Sequence, residues 1–223
     1  MPIPILLLRL EGPLQSWGER ARWDYRDSSP FPTKSAVIGL IACAMGISRA
    51  STEIVEMHAA LKMGVRADRP GTMMTDYQTV SGIIRTAGGG QRGNKGEVTT
   101  IISQRQYIQD GAFLVAVTGE KGLLQRCAAA LQHPVWPIFL GRKSCPPTRP
   151  VFEGMTEQYE SLLEALRIEP VVKRSEGCSL LCEIEDVQGN IMRRDIATAS
   201  PGRQYLQRRV QLTTVEPQGK GVS

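Results

Sequence analysis

Histidine is nearly missing from this chain of 223 residues: His58 and His133 are the only two. Cysteine is scarce and odd in number, and Cys43, Cys127, Cys145, Cys178 and Cys182 form no CxxC pair. Neither a disulfide framework nor a zinc site is supported, because structural zinc needs four closely spaced thiolate or imidazole ligands. No apolar run approaches the roughly 20 residues that a bilayer-spanning helix requires. The N-terminus has no basic segment followed by a small-residue cleavage site. These absences predict a soluble, cytoplasmic chain with no membrane partner. GxxxxGK[ST] is absent as well, since Lys34 follows Thr33 and not glycine, which excludes a P-loop nucleotide hydrolase. No motif asks for a cofactor or a metal, and none is expected.

What is present is charge, unevenly distributed. The chain is 41% hydrophobic, enough for one large domain or two small ones, with a net charge of +5 and a pI of about 9.1. Residues 77–150 hold nine Lys or Arg against three acids, residues 151–190 three against nine, and residues 191–223 six against two. One reading is a basic face for phosphates, with an acidic element turned away from it or toward another protein. The other is a set of solvated charge runs.

Residues 3–46 organise the rest. Ile3 to Leu10 is a short apolar run, rich in Ile and Leu and stopped by Gly12 and Pro13, which predicts a buried strand. FPTKSAVIGLIACAMG predicts a helix that starts near Thr33 or Ser35, is capped by one of their hydroxyls, and stops at Gly46. It is apolar on every side from Val37 to Met45, as a core helix is. Its N-terminus, with Lys34, Ser35 and unpaired amides behind a glycine loop, has the outline of an anion site, although the spacing alone favours an ordinary strand-loop-helix start.

Further on, residues 51–61 have helical spacing, with His58 assigned to the polar side, and KMGVRAD alternates as a strand. MMTDYQTV and VTTIISQRQYI predict two more strands joined by AGGGQRGNKG, whose five glycines in nine residues cannot pack a core. The result is a long hairpin arm, about 73–109, with Arg92 and Lys95 at its tip. Alternation puts Arg105 and Tyr107 on one side of the stem, with Tyr77 also on the stem. An aromatic ring beside a guanidinium suits single-stranded RNA, whose bases stack on both and whose phosphates pair with the second. The arm is either a thumb that orders on RNA or on a neighbouring subunit, or a surface loop.

FLVAV predicts a fully apolar strand and residues 123–131 a helix, so strand, helix, strand recurs in each half, as a ferredoxin-like (RRM-like) sheet requires. PIFLGRKSCPPTRP is a loop with Arg142, Lys143 and Arg149: a surface connection, or a second phosphate clamp in which Gly141 permits close approach. Residues 156–168 predict an acidic helix with Tyr159, Leu162, Leu163 and Leu166 as its stripe. CSLLCEIEDV and NIMRRDI predict a hairpin turning at Gln188 and Gly189, and RQYLQRRVQLTTV a last strand.

LLLRLEGPLQSWG, FPTKSAVIGLIACAMGI, DYQTV, FLGRKSCPPTRPVFEG and RQYLQRR, in that order, resemble the CasD family of subunits of the CRISPR Cascade complex, subtype I-E. The resemblance implies an α+β fold: an RRM-like domain of the repeat-associated superfamily (residues 1–155, thumb included) and a C-terminal β extension (156–223) bearing the acidic helix. It implies a non-catalytic subunit of an antiviral ribonucleoprotein that binds the 5′ handle of the guide RNA and caps the filament of backbone subunits. It would touch the large subunit and reach target DNA only indirectly. On this reading the handle lies against Lys34 and Ser35, Arg105 and Tyr107, and Arg142 and Lys143. The GPLQSWG loop adds Gln15 and Trp17, while Arg92 and Lys95 touch RNA or the adjacent backbone subunit. The alternative is a metal-independent endoribonuclease that processes the precursor RNA with tyrosine, lysine and histidine; neither histidine here adjoins a lysine. A free-standing RRM would carry aromatic RNP motifs, and none is seen.

Overall fold

A strand that is apolar at every position must be covered on both faces, and β1 (Ile5–Glu11) is. In the computed structural model, which describes residues 1–20, 24–83, 86, 90, 96–171, 179–198 and 204–217, the following elements succeed it. They are β2 (Leu14–Gln15), β3 (Tyr25–Arg26), α1 (Lys34–Met45), α2 (Glu53–Ala60), β4 (Lys62–Arg69), β5 (Thr72–Gly82) and β6 (Thr99–Gln109). Then come β7 (Ala112–Thr118), α3 (Lys121–Gln132), β8 (Phe152–Thr156), α4 (Leu162–Ile168), β9 (Leu180–Glu185), β10 (Ile191–Ala197) and β11 (Tyr205–Val215). The protein is therefore mixed α and β.

Seven strands form one sheet in the order β10-β11-β9-β4-β7-β1-β8, and every pairing in it is antiparallel. Alternation sends Leu6, Leu8 and Leu10 of β1 to one face, where they pack in a cluster with Val37, Ile38 and Ile41 of α1 and Leu124 of α3. Ile5 and Leu7 go to the other, with Leu162 and Leu166 of α4. Each face is worth roughly 2 kcal/mol per fully buried Leu or Ile side chain. The second sheet is smaller: β6 lies between β5 on one side and β2 and β3 on the other. The β5–β6 hairpin keeps one unbroken register from Thr72↔Gln109 to Gly82↔Thr99, as the alternation in MMTDYQTV and VTTIISQRQYI predicts.

Helix α1 ends at Gly46 in the left-handed conformation (φ 72°), with the Gly46 and Ile47 amides donating to Cys43 and Ala42 carbonyls. Its start differs from expectation. Thr33 is the capping residue, but its hydroxyl faces that of Ser35 at 3.4 Å and caps nothing. Asp195 on β10 does the capping instead, its Oδ2 accepting from the Lys34 amide at 2.6 Å.

Four further expectations are corrected. The helix expected at 156–168 is confined to Leu162–Ile168, because residues 152–156 are taken by β8 and Ser161 caps the shorter helix through the Glu164 amide. The hairpin expected of β9 and β10 is opened by β11, which lies between them. That insertion puts Arg208 within reach of Glu183 on β9 and Asp195 on β10, neutralising a guanidinium that is almost fully buried. Part of the acidic block meets the basic end of the chain, Glu183 pairing with Arg193 and Arg208, and part is paired elsewhere, Glu185 with Lys34 and Glu157 with Lys121, so the two blocks do not form opposed faces. His58 lies on no polar face: it is 2% exposed.

Candidate nucleic-acid interface

Because side chains alternate along a strand and partners across a ladder share a face, the β5–β6 register fixes what each side of the hairpin carries. Met74↔Tyr107, Asp76↔Arg105 and Gln78↔Ser103 lie on one face, so Arg105 and Tyr107 are neighbours as the sequence predicts. β3 then adds Arg26 beside Arg105, in parallel register. Arg105 Nε donates to Ser103 Oγ at 3.3 Å, which lays its side chain along the strand.

The loop after Phe139 brings the third guanidinium. Leu140 and Cys145 close it through two backbone bonds, the Leu140 amide to the Cys145 carbonyl (2.7 Å) and the Cys145 amide to the Arg142 carbonyl (2.9 Å). Arg142 stands over the ring of Tyr107, its guanidinium carbon 4.5 Å from the centroid, a cation–π distance. Its Nη2 donates to the Arg26 carbonyl at 3.2 Å, and its Nη1 is buried with no hydrogen-bond partner. Lys143 beside it is exposed.

Arg26, Arg105 and Arg142 thus meet around one buried tyrosine, and among the described residues none makes an ion pair with a carboxylate. Exposed arginines such as Arg49, Arg126 and Arg209 are unpaired too, but the other buried and half-buried arginines among the described residues have carboxylate partners: Arg9 and Arg66 with Asp68, Arg69 with Glu11, Arg149 with Glu153, Arg193 with Glu183, Arg208 with Asp195. Three guanidiniums without an ion pair, with Asp76 standing across the ladder from Arg105, can hold phosphates and stack unpaired bases on their guanidinium planes.

The other expected site residues fall differently. Lys34 is 1% exposed, with its ammonium 2.9 Å from Glu185; burial lowers its pKa although Glu185 opposes that. The anion site expected at the start of α1 is occupied by the protein's own Asp195. Ser35 is half-buried beside Thr33. Gln15 and Trp17 are fully buried, as structural groups: Gln15 Nε2 donates to the Leu10 and Gly111 carbonyls, and its Oε1 accepts from Trp17 Nε1 at 3.1 Å. Gly141 (φ 88°) does serve a close approach, but to the protein itself, since a Cβ there would collide with the Ser16 carbonyl oxygen. Arg92 and Lys95, with Trp23 and Cys178, lie outside the described residues. Arg26 was missed from the sequence; its only signal is the aromatic-basic pair Tyr25-Arg26, too short to declare a strand.

The sequence model of the CRISPR-associated protein (Cas_Cas5) family matches residues 5–211. The chain belongs to this family. Among its Cas_Cas5 relatives, the CRISPR system Cascade subunit CasD of Escherichia coli (strain K12) is 32% identical over 178 residues, 74% of this chain and 77% of that protein. A chain of a solved CRISPR RNA-guided surveillance complex superimposes with a TM-score of 0.78 at 30% identity, covering 96% of this chain and 90% of that one. A crystal structure of a Cas protein does so with a TM-score of 0.69 at 32% identity, covering 95% of each. The Cas_Cas5 match spans both sheets, so the arginine cluster lies within it.

Proposed function

We propose that this chain is a non-catalytic subunit of a CRISPR RNA-guided surveillance complex, that it holds the 5′ handle of the guide RNA, and that it caps one end of the filament of backbone subunits. On this reading it stands beside the large subunit and meets target DNA only through the complex. Membership of the Cas_Cas5 family and likeness to the Cascade subunit CasD and to a chain of such a complex support the assignment. The observation that carries the RNA contact is the cluster of Arg26, Arg105 and Arg142 on Tyr107, left without carboxylate partners among the described residues. Lys143 extends it into solvent. The scaffold is read as RRM-like because β1, α1, β4, β7, α3 and β8 succeed one another as βαββαβ, with the strands lying side by side as β4-β7-β1-β8.

The nuclease alternative has weaker support. His58 is buried, its pKa pushed down to about 4 chiefly by that burial, and it sits out of reach of a 2′ hydroxyl. His133 is exposed at the end of α3, on a different element from the arginine cluster. Co-expression with candidate subunits, pull-down through this chain and sequencing of the bound RNA should return one uniform 5′ end. Arg105→Ala and Arg142→Ala should each weaken retention by roughly 1–3 kcal/mol, since each removes a stacking plane and a phosphate partner. Unchanged retention in both, or metal-independent cleavage of repeat RNA by the purified chain, refutes the reading.

A further inference from the structure

β3 is too short to hold itself in place. Its two residues, Tyr25 and Arg26, pair with β6, and a ladder this brief supplies little more than the bond from the Gln104 amide to the Asp24 carbonyl at 2.8 Å. Yet Arg26 must stand beside Arg105 for the cluster to exist. What steadies it is the segment before it. The Ser29 amide donates to the Trp17 carbonyl at 2.7 Å, and the Trp17 amide to Ser28 Oγ at 2.9 Å. The Asp27 carboxylate accepts from the amides of Glu19 at 3.3 Å and Arg20 at 2.9 Å. Residues 17–20 are therefore the bed on which β3 lies.

That bed is itself tied to the far end of the chain. The Glu19 side chain is 9% exposed and turns toward β10, its Oε2 3.7 Å from Arg193 Nη1 and its Oε1 accepting from the Arg194 amide at 3.5 Å. Arg193 does not need this carboxylate for neutrality, because Glu183 already accepts from two of its nitrogens at 2.6 and 2.9 Å. Behind that pair the charges go on alternating: Arg208 lies 3.6 Å from Glu183 and 2.7 Å from Asp195, which caps α1. Glu19 joins this row without completing it, and a long contact to a guanidinium that is already paired adds little to stability. Its effect is one of position: it fastens the bed of β3 to the seven-stranded sheet.

We infer that Glu19 is a positioning residue for RNA, holding Arg26 in register with Arg105 through the Asp27 link, with β10 as the anchor. The inference rests on the RNA-binding reading above. It gives the C-terminal strands a part in recognition, although no residue of β9, β10 or β11 belongs to the arginine cluster. It also fixes the sign of an effect. Glu19 and Asp27 are acids close to a site for phosphates, so simple electrostatics says that removing either should tighten binding. Positioning says the opposite.

The test titrates the full chain into a labelled single-stranded oligouridylate, since phosphate contacts carry no sequence information, and follows anisotropy between about 50 and 200 mM salt. Arg26→Ala should weaken binding about tenfold and flatten the salt slope by about 0.7, the share of one phosphate contact on a single strand. Glu19→Ala should weaken it about fivefold and flatten the slope likewise, although it removes no cation. Asp27→Ala, which cuts the same link one step nearer to Arg26, should do the same. Adding Glu19→Ala to Arg26→Ala should change nothing further. A variant that was only less well folded would lower the active fraction and keep the wild-type slope. Tighter or unchanged binding by Glu19→Ala and Asp27→Ala overturns the inference, as do wild-type slopes in both or fully additive losses in the double variant. If Arg26→Ala and Arg142→Ala weaken binding while the two acid variants do not, positioning fails and the RNA-binding reading stands. If neither arginine variant matters, both fall.

Discussion

His58 shows how much a single side chain can depend on distant neighbours. Both its ring nitrogens are buried and lack hydrogen-bond partners, and the charged groups around it are Lys34, Arg208 and Asp195. Burial is the main reason its pKa falls from 6.5 to about 4. Between those values the unfolded chain binds a proton that the folded one refuses, so stability drops as the pH falls through that window and is fully restored above it. A shift of this size corresponds to roughly 3 kcal/mol at its limit. His58→Leu should flatten that part of the pH dependence, as read from urea midpoints at several pH values between 7 and 4; an unchanged slope would place the titration elsewhere. At this scale Arg105 and Tyr107 were legible, because alternation along one strand is local. Lys34 was not, since its partner Glu185 lies 151 residues away. Gln15 and Trp17 read as exposed polar and aromatic groups only because their bonds to each other and to Gly111 are made after folding.

Among the elements, α1 and β10 are the pair whose union the sequence hides. Asp195 serves both the Lys34 amide and the Arg208 guanidinium, so one carboxylate ties the first long helix to the last two strands. Asp195→Ala should cost about 3–5 kcal/mol, because it leaves a buried guanidinium without its closest counter-charge. Thermal or denaturant unfolding measures this. A loss below about 1 kcal/mol would mean that Glu183 and Glu185 suffice for Arg208. Most other elements were readable from pattern: β1 and β7 from short apolar runs, α3 from helical spacing, β5 and β6 from alternation around glycines. The misreading at β9 and β10 has a physical cause. Gln188 and Gly189 do form a turn, but Gly189 packs against the backbone of Val210, so the turn steps over β11 instead of folding β10 back onto β9. The acidic helix was overextended because a stripe of Tyr159, Leu162 and Leu166 fits both a helix and a strand-to-helix junction.

For the whole molecule, the packed core and the proposed recognition surface are separated in space. The seven-stranded sheet has apolar clusters on both faces, whereas the distal hairpin leaves Tyr77, Val80, Ile83 and Ile102 exposed. Native-state hydrogen exchange should therefore find the slowest amides among Leu6, Leu8, Val65 and Val115, while the ladder from Thr79 to Thr100 exchanges orders of magnitude faster. Binding RNA should slow the second set and leave the first unmoved. Equal protection of both in the free protein would contradict the division. The position of β11 has a consequence for biosynthesis. The strand that completes the sheet between β9 and β10 leaves the ribosome after both of them, and Arg208, which fastens Asp195 in place, leaves with it. Nascent chains stalled before residue 205 hold Lys34, Glu185 and Asp195 but lack the strand that joins β10 to the sheet, so Asp195 should reach the Lys34 amide only after β11 is made.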